Sequence, residues 1–243
     1  MTFDEKLSAV WILIQESPLT GISITLLAYV LAMYLYKKSD YKPILSPFIT
    51  SMIVVVSVLL ITGISYENYF AGGKFIHFLL GPATVALAIP LYHQLHRIKQ
   101  LFFPIMITLV ASVFIGSLSA IGIADLFGAS LETQISLAPK SVTTPVAMGI
   151  SEQIGGIVSL SAGLAATTGV LGGVIGLKIF SLIGVTDDRY RGFAMGLTSH
   201  GLGTAVAFQE SNTMGAFSGL GMALASFTTA FMLPWLLSLL AII

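Results

Sequence analysis

Two stretches of this chain, Leu101–Ile123 and Ala216–Ile243, run without one charged side chain. A helix needs ~20 mainly apolar residues to span a bilayer core, and both runs exceed that length. A helix apolar on every face belongs either in the centre of a large protein or in lipid. Composition decides for lipid: of 243 residues 56% are hydrophobic and 9% charged, with mean hydropathy +0.94. Soluble domains carry about 25% charged residues, and this chain could not cover itself with a water-compatible surface.

Other classes fall away on the same numbers. Net charge is +0, so no basic stripe exists to bind nucleic acid. Cysteine is absent, which removes disulfides, thiol catalysis and Cys-ligated metals. No H-E-x-x-H, G-x-S-x-G or Walker loop occurs, so neither an enzyme, a metal site nor a cofactor is expected. The start "MTFDEKLSAVWILIQES" is acidic and only briefly apolar, unlike a cleaved signal peptide. Leu7–Glu16 reads as a short helix lying on the membrane, with partial insertion as the alternative.

The expected fold is an all-α integral membrane protein, a polytopic helical bundle of 7–8 membrane segments forming a single transmembrane domain over 1–243. Besides the two runs above, Leu19–Tyr36 and Ile44–Ile64 are candidate spans. Pro139–Val185 would make roughly 70 Å of helix at ~1.5 Å per residue, enough for two tilted spans or for one span and a half-helix. Phe75–Tyr92 and Gly192–Phe208 are apolar but interrupted, by Pro82 and Pro90 in the first and by "SHGLGT" with Gly203 in the second. Pro139 and Pro145 mark further helix breaks. Such breaks survive at membrane depth only where protein or a water-filled cavity takes up the freed backbone groups.

Lysine and arginine in short loops set orientation. Loops 37–42 and 93–99 carry Lys37, Lys38, Lys42, Arg97 and Lys99, so both are expected in the cytoplasm with the N-terminus outside. Arg189 and Arg191 also prefer the cytoplasm. An offset of 120 residues hints at an inverted repeat with halves 17–123 and 138–243: "GPATVALA" (Gly81–Ala88) pairs with "GLGTAVAF" (Gly201–Phe208). Paired halves that each carry a broken apolar segment are common in secondary transporters.

Polarity concentrates in two motifs. "LAPKSVTTPVAMGIS" (Leu137–Ser151) holds Lys140, Ser141, Thr143 and Thr144 ahead of Pro145. Proline suits the first turn of a helix, which makes the preceding hydroxyls capping candidates. The open N–H groups of such a start, with hydroxyls and one lysine, suit a carboxylate or phosphate. The plainer alternative is an interfacial loop with Lys140 snorkelling to headgroups. "TSHGLGTA" (Thr198–Ala205) places His200 in an apolar run beside Gly201 and Thr204. Histidine titrates near neutrality, so His200, Glu152 and Glu210 are candidates for proton coupling. A histidine bonded to a backbone carbonyl in a packed bundle is the plainer alternative. Thr84 joins the binding set at the break of the earlier segment. "GVLGGVIG" (Gly169–Gly176) reads as close helix packing.

These strings carry a resemblance. "GISYENYFAGGKFIHFLLGPATVALAIPLYHQLHRIK" (Gly63–Lys99), "LAPKSVTTPVAMGISEQIGG" (Leu137–Gly156) and "RGFAMGLTSHGLGTAVAFQES…GAFSGLGMAL" (Arg191–Leu224) resemble the LrgB/CidB family of bacterial membrane proteins, in the right order over almost the whole chain. The resemblance implies an antiholin-like or holin-associated protein of the plasma membrane. It would work beside a small holin-like partner of the LrgA/CidA type and be linked to murein hydrolase control and cell lysis. A plant relative in the plastid envelope moves glycolate and glycerate, and bacterial pairs are tied to pyruvate. Two functions follow as expectations: a transporter or channel for small monocarboxylates, or a regulatory subunit that moves no solute. Broken helices, hydroxyls and an isolated histidine are what a solute site needs and a simple lesion-former does not, which favours transport. A homodimer is expected by analogy with elevator-like transporters.

Overall fold

The computed structural model describes residues 3–39, 45–79, 82, 85–86 and 88–242. Among them every regular element is a helix: α1 (Phe3–Glu16), α2 (Pro18–Lys38), α3 (Pro47–Thr62), α4 (Tyr66–Phe78), α5 (Ala88–His93), α6 (Leu95–Gln100), α7 (Phe102–Leu126), α8 (Leu131–Leu137), α9 (Thr144–Ile154), α10 (Val158–Leu182), α11 (Asp188–Glu210) and α12 (Asn212–Leu239). Four of these, α2, α7, α10 and α12, are long and apolar enough to cross a membrane. Their outward faces carry large apolar side chains, such as Phe103, Ile107, Ile115 and Ile123 on α7. A multi-pass membrane protein with lipid-facing helices accounts for that surface.

The chain divides into two compact units, Met1–Ala86 and Leu87–Ile243. In the first, α2 and α4 touch backbone to backbone. A Cβ built on Gly72 would lie 2.0 Å from the Pro18 carbonyl oxygen, and one on Gly21 2.1 Å from that of Tyr69. Ser46 and Ser65 cap α3 and α4 by accepting the backbone N–H groups of Ile49 and Asn68, as short hydroxyl side chains do at helix starts.

The second unit contains a helix that folds back on itself. Were the 23 residues of α11 straight, their ends would stand ~33 Å apart. Instead Arg191 Nη2 lies 3.8 Å from Glu210 Oε2. A Cβ on Gly203 would sit 2.8 Å from the Met195 carbonyl oxygen. The reversal falls at His200, at φ 39 and ψ −127. Arms 188–199 and 201–210 therefore form a hairpin. α12 runs alongside the first arm in parallel, pairing Gly192 with Met214 and Gly196 with Ser218. It runs antiparallel to the second arm, pairing Thr204 with Ser218 and Phe208 with Gly215.

The residues expected at helix breaks take different places. Gly203 is a buried residue inside the second arm, where its missing Cβ lets the arms meet. The break lies instead at His200, because a reversal this tight needs its turn where the arms part. Pro90 sits inside the short helix α5, and Pro82 is helical and exposed. Pro139 stands in the turn between α8 and α9, and Pro145 is the second residue of α9, where its missing N–H costs nothing. The long apolar stretch 139–185 divides at Gly155 (φ 80) into the 11-residue α9 and the 25-residue α10.

Contacts this close forbid any side chain at their glycines. Gly196→Ala would place its methyl 2.0 Å from the Ser218 carbonyl oxygen and push α12 from α11. We expect a loss of about 1–3 kcal/mol, read as a drop of several degrees in melting temperature in detergent; an unchanged melt would contradict the backbone contact.

Candidate functional site

The first sequence motif meets α7 near its mid-length. α8 runs back along α7, with Gln134 Nε2 donating to Asp125 Oδ1 (3.0 Å), Ser117 Oγ to the Ala138 carbonyl (2.9 Å) and Lys140 Nζ to the Gly116 carbonyl (3.0 Å). Gly116 is ~21 Å along a helix of ~37 Å, so turn 138–143 reaches about half-way down α7. Ala138, Pro139 and Val142 of this turn are buried.

A knot of serines fixes the turn from behind. Ser136, Ser151 and Ser161 are fully buried. Ser161 Oγ lies 2.8 Å from both the Ser136 carbonyl oxygen and Ser151 Oγ, and the Ile157 N–H donates to Ser136 Oγ at 2.7 Å. Gly156 is required there, since a Cβ on it would stand 2.5 Å from Ser151 Oγ. α8, α9 and the start of α10 are thereby held as one piece.

Between α7, this turn, α11 and α12 lies a narrow cleft with room for about one water molecule. α7 offers Ser112, Gly116 and Ser117; the turn offers Ser141. Val113, Val142, Leu197 and Ala225 supply apolar wall, and Thr229 of α12 the remaining hydroxyl. Ser112 and Ser117 already donate to the Leu109 and Ala138 carbonyls. The hydroxyls of Ser141 and Thr229 have no hydrogen-bond partner among the described residues, although Thr229 is only 5% exposed. Ser141 is half-buried rather than enclosed, and both hydroxyls are free to bond an occupant of the cleft. Lys140 stands at the rim, its ammonium held on the carbonyl of a cleft residue.

The remaining expected site residues lie elsewhere. Thr143 is the N-cap residue of α9 but its hydroxyl makes no cap bond, and Thr144 is the first helical residue; neither lines the cleft. His200 is buried, its Nε2–H donating to the Ala165 carbonyl on α10 at 2.9 Å, which is the plainer alternative for a lone histidine. Thr204 Oγ1 contacts the His200 carbonyl (2.8 Å) and Ser218 Oγ (2.9 Å). Gly201 is exposed beside the tip. Glu152 is exposed on α9, and Glu210 pairs with Arg191 at the open end of the hairpin. Thr84 lies outside the described residues. So Lys140 and Ser141 come together with the cleft, while His200 and Thr204 form a separate cluster at the hairpin tip.

The glycines of α10 build that second cluster. Cβ atoms on Gly169, Gly172 and Gly176 would lie 2.6, 1.7 and 2.5 Å from His200 Cε1, Ser199 Oγ and Met195 Sδ. At the other end of the hairpin, Arg191 pairs with Asp188 (3.1 Å) and Ser211 Oγ donates to Asp188 Oδ2 (2.6 Å). The Arg189 guanidinium beside Asp187 holds that carboxyl below the usual carboxylate range.

Ser161→Ala would strand the Ser136 carbonyl and Ser151 hydroxyl in a fully buried place. A cost of about 1–3 kcal/mol is expected from chemical or thermal unfolding in micelles. A melt equal to that of the parent would mean the serine knot holds nothing.

The LrgB-like family pattern matches residues 25–239. The chain is 35% identical to the uncharacterized protein YxaC of Bacillus subtilis, over 88% of this chain and 92% of that one. It is 32% identical to the holin-like protein CidB of Staphylococcus epidermidis (91% and 97% covered) and 31% identical to the antiholin-like protein LrgB of Bacillus subtilis (90% and 94%). No solved structure matches it.

Proposed function

We propose that the chain, which belongs to the LrgB-like family, is a transporter or channel for small monocarboxylates of the pyruvate, glycolate or glycerate type. The observation that carries this reading is the pair of partnerless hydroxyls, Ser141 and Thr229, facing one cleft beside Lys140 at half the depth of α7. A carboxylate there would draw Lys140 from the Gly116 carbonyl and accept from the hydroxyls, in the manner of charge-assisted bonds. The cleft now holds no more than a water-sized occupant, so loading requires the turn or the α11 hairpin to move. Alternating exposure of a midplane site has that requirement. No catalytic group enters the scheme.

The architecture that goes with this reading has 7–8 membrane segments, two or more of them broken, in halves 17–123 and 138–243 related by an inverted repeat. It sits in the bacterial plasma membrane with the N-terminus outside and loops 37–42 and 93–99 in the cytoplasm. A small holin-like protein is its partner and a homodimer its assembly. Thr143 and Thr144, at the start of α9, and Thr84 complete the solute path, with Glu152 and Glu210 as the carboxylates available for proton coupling.

A second reading is favoured by the printed names of the relatives, holin-like and antiholin-like: a regulatory subunit that sets the state of a holin-like partner and moves no solute. Uptake of labelled pyruvate or glycolate into proteoliposomes, with and without that partner, separates the two. Transport predicts flux above empty vesicles, with Thr229→Val and Lys140→Met each lowering it about tenfold or more, the scale of a lost bond to a charged group. Parent flux equal to that of empty vesicles in both arms selects the regulatory subunit.

A further inference from the structure

His200 is left without a use by the cleft, yet its backbone holds a conformation unusual for a residue with a side chain. Its φ of 39 with ψ −127 is a conformation that glycine adopts readily and a Cβ-bearing residue does not. Strain of this kind persists where surrounding contacts over-determine it, and it marks sites whose arrangement matters. The contacts here are specific. The ring donates to the Ala165 carbonyl and fits a notch that exists only because residue 169 has no side chain. Its own carbonyl accepts from Thr204, which ties the second arm to α12 through Ser218.

The tip is also connected to the cleft. Leu197 lies three residues before His200 on the first arm and forms part of the cleft wall. Ala165, which receives the ring, packs in the same buried cluster as Leu197, Val142 and Ala225, all but Ala165 being cleft residues. A tip that lets go of α10 would carry Leu197 with it.

We infer that His200 is a positioning residue: its ring, bonded to the Ala165 carbonyl in the Gly169 notch, latches the strained tip of the α11 hairpin and so holds Leu197 against the cleft. The residue acts through the hairpin rather than by touching the solute. The stored backbone strain biases the tip toward release, and the ring opposes it. This rests on the transport reading for its effect on flux, but not for its effect on the hairpin.

The test uses the full chain in proteoliposomes with labelled glycolate, together with melting in detergent. It adds a nitroxide at Ala205→Cys, an exposed second-arm position in a chain that has no other cysteine. His200→Gly removes the latch and relieves the strain; His200→Ala removes the latch and keeps it. His200→Gly is expected to melt within a few degrees of the parent and above His200→Ala. Its flux should fall at least tenfold and the nitroxide should become more mobile. Gly169→Ala, which evicts the ring without altering residue 200, should do the same to flux and nitroxide. His200→Gln, whose amide reaches about as far as Nε2, should keep flux within about threefold. His200→Gly with parental flux and nitroxide mobility would overturn the inference. So would His200→Gly melting as low as His200→Ala, because the ring would then be packing alone. Should the parent move no glycolate, the transport reading fails by itself, and the melting order and nitroxide still decide the latch.

Discussion

The demand that every backbone polar group find a protein partner where water is absent governs this molecule more than any single contact. Unbroken helices meet it internally, and α7, α10 and α12 do so over most of their length. The breaks cannot, and side chains of the neighbouring residues answer for them. The Ala138 carbonyl takes Ser117, the Ser136 carbonyl takes Ser161, the Ile157 N–H takes Ser136 Oγ, and the His200 carbonyl takes Thr204. Most hydroxyls of this apolar chain bond the preceding turn of their own helix, as Thr62, Thr167 and Thr198 do, and a few are spent on the breaks. Among the hydroxyls of the cleft, Ser141 and Thr229 have no such duty.

Much of this was legible beforehand, for stated reasons. Charge-free runs longer than a bilayer core mark α7 and α12, and Pro145 stands in the first turn of α9. The spacing of Gly169, Gly172 and Gly176 announced the close approach of α10 and α11. The position of the second break was less legible. Glycine was the obvious residue to host it, as Gly155 does between α9 and α10, but at the hairpin the positive φ falls on His200 while Gly203 sits where the arms touch. Nothing in a residue's identity reveals that choice, because it depends on what faces it across the hairpin.

The cleft was only half visible. Lys140 and Ser141 stood out because proline and hydroxyls clustered around them in sequence. Thr229 did not, since a threonine in a spanning helix normally bonds its own preceding turn, as Thr167 and Thr168 do. Ser112 is camouflaged in the same way on α7. A helical register that brings 225 and 229 beside 112 and 116 exists only after α12 has packed on α7. His200 illustrates the converse: its isolation in sequence suggested chemistry, whereas its geometry is that of a clasp.

The hairpin of α11 has a consequence for how the chain is made. Its second arm, 201–210, is too short to cross a bilayer, and Thr204 is satisfied across the fold by Ser218, a residue synthesised later. The second arm therefore completes its contacts only once α12 is in place beside it. A chain shortened within α12 would lose the preceding helical hairpin along with the final span.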